Sequence, residues 1–219
     1  MQTLLSIFTY LIDTVFPREC VGCGERSTIL CENCMSRIPK AEQPAHSFIT
    51  AIFDYRNPTI REVIWKFKYK NAQVLAKYFG EKLYEEILGE LGDDLNVLGN
   101  EAFLLVPVPL HKKRLRERGY NQSELLAREI IKYDTAKIFQ LASEVLTRTR
   151  ATKPQAKSEK RAARFENLRG AFVTNSALVR GKHIILIDDV TTTGATLSEA
   201  HKTLLRAGAL TVRAYAVAH

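Results

Sequence analysis

Two adjacent carboxylates followed by a run of threonines give this sequence its clearest chemical signal. Asp188 and Asp189 end a strongly apolar stretch, and the loop 190–196 comes next. A parallel α/β sheet binds ligands beyond the carboxyl ends of its strands, so we expect both acids at such an edge. The loop offers hydroxyls and backbone N–H groups at the start of a predicted helix, an arrangement that holds phosphate. Gly194 has no Cβ, which lets the backbone approach the anion closely.

Two carboxylates beside a phosphate site would repel a bare anion, but they can accept hydrogen bonds from the vicinal hydroxyls of a sugar. The segment therefore predicts a sugar phosphate ligand, with Asp188 and Asp189 on the hydroxyls and as candidate catalytic residues. The alternative is a polar turn with a threonine N-cap, although an N-cap needs only one such residue. The predicted binding residues are Asp188, Asp189, Val190, Thr191, Thr192, Thr193, Gly194, Ala195 and Thr196.

Positive charge is concentrated in two segments of the chain, whose net charge is +8. Segment 112–118 has five bases against one acid and follows a strand-like run directly. Segment 148–169 has eight bases against two acids. We predict that it forms a mobile lid over the site or a path for single-stranded DNA, with a solvated charged loop as the alternative. The candidate residues of this lid are Arg148, Lys157, Lys160, Arg161 and Arg164.

The four cysteines form two pairs, each enclosing two residues, near the start of the chain. This spacing is typical of a tetrahedral Zn²⁺ site, and four thiolates leave no position for a catalytic water. We therefore predict a small structural zinc ribbon. Disulfides fit poorly with a chain that shows no export signal, and iron–sulfur ligation is a further alternative. The predicted metal ligands are Cys20, Cys23, Cys31 and Cys34.

Beyond residue 47, apolar runs with strand and helix periods alternate. This alternation predicts an α/β fold, a parallel sheet flanked by helices. Helix 74–88 is expected to end at Gly89 and Gly92. Prolines 39 and 44 mark a linker, so the predicted domains are 1–47, with an N-terminal helix and the zinc-binding module, and 48–219. The predicted strands are 48–55, 103–108, 144–146, 171–174, 182–187 and 211–217, and the other predicted helices are 58–67, 121–133 and 195–207.

The composition is that of a folded protein, because 46% of the 219 residues are hydrophobic and 26% are charged. Residues 1–16 are apolar at helical spacing, but the stretch is too short to span a bilayer. No base precedes it and no small-residue cleavage site follows it, so a secretory signal is not expected. We predict a helix that docks on the core, with a weak membrane-surface anchor as the alternative, in a cytoplasmic protein without a transmembrane segment.

Segment 184–196 resembles the phosphoribosyl-diphosphate (PRPP) motif of type I phosphoribosyltransferases, which has four apolar residues, two acids and then Thr-Thr-Gly-x-Thr. Nearly the whole chain resembles the ComF family of competence-associated phosphoribosyltransferase-like proteins. The segments that carry this resemblance are the two CxxC pairs, Lys66-Phe-Lys-Tyr, VPVP followed by RGYNQ, and the series Arg148, Gln155, Arg164, Asn167 and Gly170-Ala-Phe172.

This resemblance implies a type I phosphoribosyltransferase domain behind a zinc module, PRPP with Mg²⁺ as ligand, and a part in DNA uptake during natural transformation. It also implies a loop that holds the pyrophosphate, with Lys112, Lys113, Arg114 and Arg118. Thr192 stands where purine-salvage relatives have an acid that assists the base. Threonine cannot act as a general base at neutral pH, which argues against purine salvage.

Three hypotheses follow for the activity. The first is Mg²⁺-dependent phosphoribosyl transfer with loss of pyrophosphate, which extends to an enzyme of nucleotide metabolism with an unidentified acceptor and no DNA role. The second is a PRPP-binding protein whose basic surface engages single-stranded DNA and the DNA-uptake machinery. The third is a scaffold with a degenerate nucleotide site, which the intact motif disfavours.

Overall fold

A five-stranded parallel sheet forms the centre of the protein in the computed structural model. The structure describes residues 19–42, 44, 46–70, 72–98, 102–150, 166 and 168–219, with the backbone alone over 93–98. The strands of the sheet are β1 (Ile49–Phe53), β2 (Phe103–Pro107), β3 (Phe139–Leu141), β6 (His183–Val190) and β7 (Thr211–Ala218). Their order is β1–β7–β6–β2–β3, and every neighbouring pair is parallel. The predicted α/β class is confirmed.

Helices cover both faces of this sheet. The first face carries α2, α3 and α5, whose buried side chains share a core with Leu105, Ile185 and Ile187. The second carries α6 and α7, which pack on Leu104, Ile184 and Leu186. The helices are α1 (Glu32–Ser36), α2 (Pro58–Tyr69), α3 (Leu75–Leu98), α4 (Lys112–Arg118), α5 (Gln122–Tyr133), α6 (Ser176–Val179) and α7 (Ala195–Arg206).

The order of the strands creates a ligand-binding crevice between β2 and β6. From β2 the chain passes through α5 to β3 on one side, and from β6 it passes through α7 to β7 on the other. Such a reversal opens a crevice beyond the carboxyl ends of the two strands, where α/β proteins bind ligands. The chain leaves β2 into the basic segment 112–118, and β6 ends at the acid pair. Both sequence signals therefore meet at one edge of the sheet.

The cysteine-rich segment packs against the α/β body. Leu30 and Ile38 are almost fully buried in the same core as α2. The predicted linker also pairs with β1, because the Ala41 N–H donates to Ile52 O (2.9 Å) and the Asp54 N–H donates to Pro39 O (2.9 Å). The domain boundary at residue 47 remains a prediction, but contacts cross it on both sides. The predicted helix within residues 1–16 lies outside the described residues.

Three local predictions are wrong. Helix α3 runs through Gly89 and Gly92 to Leu98, although each glycine costs about 1 kcal/mol in a helix. The complete burial of Leu83, Ile87 and Leu91 provides the compensating packing. Segment 112–118, expected as a loop, is the helix α4. Strands β4 (Leu146–Arg148) and β5 (Phe172–Thr174) pair antiparallel with each other instead of joining the parallel sheet.

The sequence also gave no signal for β3, which has three residues and lies at the edge of the sheet. A strand this short shows no detectable alternation of apolar and polar residues. Within the described part of the chain, no helix has the length and apolar character needed to cross a membrane.

Candidate functional site: an acid pair at the switch point of the sheet

Asp188 and Asp189 lie within the last turns of pairing of β6, with Asp188 opposite Ala216 of β7. Successive strand residues point to opposite faces, so the two carboxylates diverge and have different partners. Asp188 is partly exposed, and its Oδ1 accepts hydrogen bonds from Ser123 Oγ (3.1 Å) and from the Asp189 N–H (2.8 Å). Asp189 is buried, and its Oδ1 lies 3.0 Å from Lys68 Nζ.

The surroundings of Asp188 disfavour its charge. Desolvation and the neighbouring Asp189 carboxylate raise the pKa of Asp188 to about 7, against the smaller opposing effects of its hydrogen bonds and of Lys68. A shared proton in this pair is therefore accessible near neutral pH. Perturbed carboxylates that face a crevice mark candidate functional sites, provided that geometry supports them. Here the switch point of the sheet supplies that geometry.

Lys68 and Ser123 are site residues that sequence reasoning missed. Lys68 ends α2, and Ser123 lies in the first turn of α5. Lys66-Phe-Lys-Tyr was noted as part of a resemblance, but nothing in its spacing indicated a partner more than a hundred residues away. The interior of α2 faces the core through Phe67, which leaves the following lysine at the edge of the sheet. The signal was therefore available only from the tertiary structure.

The threonine loop is divided between structural and accessible positions. Thr191 is buried, and its N–H donates to Ala218 O (3.0 Å), so this residue ties the loop to β7. Thr192 is exposed, while Thr193 and Thr196 are partly exposed. Helix α7 begins after Gly194, and no side chain caps its N-terminus. Its first backbone N–H groups therefore lack the side-chain acceptor that usually satisfies them.

Gly194 is required by both its backbone angle and its surroundings. Its φ of +75° lies in the left-handed region, and a Cβ there would approach His46 Cδ2 to 2.7 Å. Any other residue would displace the imidazole and strain the loop at the entrance of α7. The structure thus gives a physical reason for the glycine predicted to allow close approach.

The basic residues of α4 do not all face the acid pair. Arg114 and Arg148 lie close enough to influence each other, and Asp188 influences Arg148 in turn: desolvation and Arg114 lower the pKa of Arg148, while Asp188 raises it. Arg148 is buried, with its guanidinium carbon 5.5 Å from the centre of the Phe172 ring. Lys112 and Lys113 are exposed. Arg118 donates to Gln122 Oε1 (2.9 Å) and so is directed toward α2 and α5.

Among the predicted lid residues, Arg148 is therefore brought to the site. The other four, which are Lys157, Lys160, Arg161 and Arg164, lie outside the described residues. The strands β4 and β5 that precede and follow this segment pair with each other, with Arg148 opposite Phe172.

The four cysteines converge as the spacing predicts. Their Sγ atoms all lie within 4.8 Å of one another, and Cys31 Sγ is 3.7 Å from the Sγ of both Cys20 and Cys23. Thiolates at 2.3 Å from a tetrahedral zinc are separated by about 3.8 Å. All four are free cysteines. The cluster can therefore hold one metal ion, and its donor set fits zinc.

The backbone around the cysteines favours thiolates. The Cys31 N–H donates to Cys20 Sγ (3.4 Å), and the Cys34 N–H donates to Cys31 Sγ (3.4 Å). Burial opposes ionisation of Cys20, but backbone hydrogen bonds lower its pKa to about 6. A Cβ at Gly22 would lie 2.6 Å from Cys34 Sγ, so this position must be glycine for the cysteines to approach.

Comparisons with known proteins agree with this geometry. The model of the phosphoribosyl transferase domain matches residues 124–219, so the carboxyl-terminal part of the chain has the fold of that class. The DNA utilization protein YhgH of Shigella flexneri is 31% identical over 199 residues, which cover 90% of this chain and 82% of that protein. The competence protein ComFC of Bacillus subtilis is 30% identical over 158 residues, covering 72% of this chain and 58% of that protein. The chain belongs to the ComF family.

Solved structures with low sequence identity also align with the chain. A hypoxanthine phosphoribosyltransferase from Trypanosoma cruzi aligns with a TM-score of 0.40 and 12% identity, over 64% of each chain. A glutamine PRPP amidotransferase from B. subtilis aligns with a TM-score of 0.37 and 19% identity, over 64% of this chain and 25% of that one.

Proposed function

We propose that the protein binds PRPP together with Mg²⁺ at the acid pair and acts in the handling of single-stranded DNA during natural transformation. The observation that carries the ligand is the position of Asp188 and Asp189 at the switch point of the sheet, beside a helix N-terminus without a side-chain cap. Carboxylates accept from sugar hydroxyls, and free backbone N–H groups bind phosphate. A ribose phosphate satisfies both.

In this proposal each part of the crevice has one task. Asp188 and Asp189 accept hydrogen bonds from the ribose hydroxyls, and the loop 192–196 with the start of α7 holds the 5-phosphate. The bases of the 112–118 segment, with Arg114 and Arg148 nearest to Asp188, neutralise the diphosphate. Magnesium prefers oxygen ligands and is bound mostly through phosphates and water, so a crevice with carboxylates and a diphosphate fits it. When bound, Mg²⁺ would offset the charge that develops on the leaving diphosphate.

Zinc is the metal that we propose for the cysteine cluster. The sulfur separations match a tetrahedral zinc site, and four thiolates would close its coordination sphere. In this role the metal holds the segment 20–34 against α2 and takes no part in chemistry. We also propose that the protein works in the cytoplasm.

The part in DNA handling rests on family membership and on charge. The relatives are named DNA utilization protein and competence protein, and α4 presents five bases against one acid. Neutralisation of DNA phosphates by such bases releases counterions, so binding falls steeply with salt. Neutralising Lys157, Lys160, Arg161 and Arg164 together is expected to flatten the salt dependence by about 0.7 log unit per lost phosphate contact on single strands.

The alternative is a phosphoribosyltransferase of nucleotide metabolism with an unidentified acceptor and no DNA role. Two measurements on the same preparation distinguish these functions: release of pyrophosphate from PRPP with and without candidate acceptors, and binding of an oligonucleotide across a range of salt concentrations. Oligonucleotide binding that weakens with salt supports the DNA role. Acceptor-dependent release of pyrophosphate without oligonucleotide binding at low salt would favour the alternative.

A further inference from the structure

Helix α2 exposes two aromatic rings on the side opposite to the core. Trp65 and Tyr69 are four residues apart, with 47% and 55% of their surfaces exposed, and their ring centres are 6.2 Å apart. Residues at this spacing share one helix face. The core side of α2 is separately filled by Ile60, Val63, Ile64 and Phe67, all essentially fully buried. The two rings therefore contribute little to the fold.

Cations accompany both rings. Lys70 Nζ lies 5.3 Å from the centre of the Trp65 ring, and the guanidinium carbon of Arg118 lies 5.1 Å from the centre of the Tyr69 ring. Arg118 also donates to Tyr69 Oη (3.3 Å). With these cations in place, half of each aromatic residue still faces solvent. We call Trp65, Tyr69, Lys70 and Arg118 the aromatic–cation patch.

Hydrogen bonds hold the two segments of this patch together. Arg118 donates to Gln122 Oε1 (2.9 Å), and Tyr120 Oη donates to Phe67 O. Asn121 Nδ2 donates to Val108 O (3.1 Å), which anchors the same turn to the end of β2. The RGYNQ segment thus attaches α4 to the carboxyl end of α2. The patch is preorganised, so a ligand would not have to order it.

We propose that the aromatic–cation patch binds single-stranded nucleic acid, with bases stacked on Trp65 and Tyr69 and the sugar-phosphate backbone on the exposed bases of α4. Proteins that bind single strands combine aromatic platforms with a cationic track in this way. Lys112, Lys113 and Arg116 are exposed and supply the track next to Arg118. This inference rests on the DNA role of the proposed function and assigns it to a surface other than the predicted lid.

The charge around the rings argues for this occupant against a second copy of the chain. A symmetric dimer through this face would bring two α4 helices near each other, and each has five bases against one acid. Like charges at an interface oppose association. A polyanion with exposed ring faces complements both features of the surface.

The patch lies beside the acid pair. Lys68 precedes Tyr69 in the chain, and its Nζ contacts Asp189 Oδ1 at 3.0 Å. A strand held on the patch would therefore pass close to the entrance of the crevice. Double-stranded DNA does not fit the same description, because its bases are stacked inside the duplex and offer no free faces.

Trp65 is the single tryptophan of the chain, so its fluorescence reports directly on this surface. We would titrate the full-length protein with an oligothymidylate of about 15 nucleotides, within the usual site size of single-strand binders. The expected result is quenching of Trp65 emission and tighter binding than that of a duplex of equal length. Tyr69→Ala is expected to weaken binding by about 10-fold or more, and Tyr69→Phe by much less. Trp65→Ala, followed with a labelled oligonucleotide, is expected to behave like Tyr69→Ala.

The matched control is Leu210→Ala, which removes an equally exposed apolar side chain at the start of β7, at the opposite edge of the sheet. It is expected to bind as the unmodified protein does. If both alanine variants at the patch remain folded and bind the oligonucleotide normally, the patch is wrong while the DNA role stands. If the unmodified protein does not bind the oligonucleotide at low salt, both this inference and the DNA role fail. Equal binding of duplex without quenching would also overturn the stacking role.

Discussion

Lys68 Nζ lies 3.0 Å from Asp189 Oδ1, and this ion pair links the carboxyl end of α2 to the acid pair of β6. Both side chains are largely buried. Lys68 lies outside the region 124–219 that matches the phosphoribosyl transferase domain. The part of the chain that precedes the matched domain therefore supplies a cation to the proposed ligand site. It also compensates a carboxylate that would otherwise be buried without a partner.

Lys68→Met is expected to destabilise the protein, because it leaves the Asp189 carboxylate buried without its cation. Removing one partner of a buried pair costs on the order of 3 kcal/mol. The loss should be largest at about pH 8 and smaller at about pH 5, where the acid pair can take up a proton. Urea unfolding of the single variant and of Lys68→Met with Asp189→Asn measures the coupling, and the double variant should recover much of the loss.

Lys82→Met provides the control for this prediction. Lys82 pairs with Glu85 at 2.7 Å, but both side chains are exposed, so the change should cost at most about 0.5 kcal/mol. Equal effects of the two methionine variants would show that the Lys68–Asp189 pair has no special structural role.

The pKa of Asp188 predicts a characteristic pH dependence. Its folded-state pKa of about 7 lies above the ordinary value of 3.8, so the folded protein binds the proton more tightly than the unfolded chain does. The stability from this proton is complete below about pH 4 and is lost as the pH rises through about 7. Asp188→Asn has no proton to lose. Between about pH 5 and pH 8 it should lose less stability than the unmodified protein, by roughly 1–3 kcal/mol.

Urea unfolding at a series of pH values checks this, with the difference between the two proteins as the quantity of interest, since other titrations cancel. Parallel stability curves across this pH range would mean that Asp188 titrates near its ordinary value.

The cysteine cluster predicts about one zinc ion per chain, measured by elemental analysis of the purified protein. Cys31→Ser should remove most of this zinc, while Ser36→Ala, whose hydroxyl only donates to Asn33 O, should retain it. Because Leu30 and Ile38 pack in the same core as α2, we expect the loss of metal to lower the Tm of the whole chain. A fully folded protein without metal would refute the zinc site.

Sequence reasoning identified those elements whose signal is local. The apolar run before Asp188 and the cysteine spacing are such signals, and β6 and the cysteine cluster are found where they were predicted. Lys68 and Ser123 could not be found in this way, because their partners are separated from them by 121 and 65 positions and meet them only through the order of the strands. Helix α3 shows the converse case, in which tertiary packing outweighs the low helix propensity of two glycines.

The basic segment illustrates a third limit. The charge of 112–118 was evident, but charge does not show which bases face the crevice. A seven-residue helix distributes them, with Arg114 near Arg148 and Asp188, Arg118 on Tyr69, and Lys112 and Lys113 toward solvent. Likewise, Trp65 and Tyr69 became candidates only when the structure showed that they face away from the core.

Calorimetric titration of the full-length protein with PRPP and Mg²⁺ tests the central claim most directly. The account predicts saturable binding by the unmodified protein, and a loss of at least about 10-fold in affinity for Asp188→Asn, which keeps the shape of the side chain but removes the charged acceptor. Glu85→Gln, which alters an exposed acid on α3, should bind as the unmodified protein does. Undiminished PRPP binding by the Asp188→Asn variant, or no binding by the folded unmodified protein, would contradict the assignment of the acid pair as the ligand site.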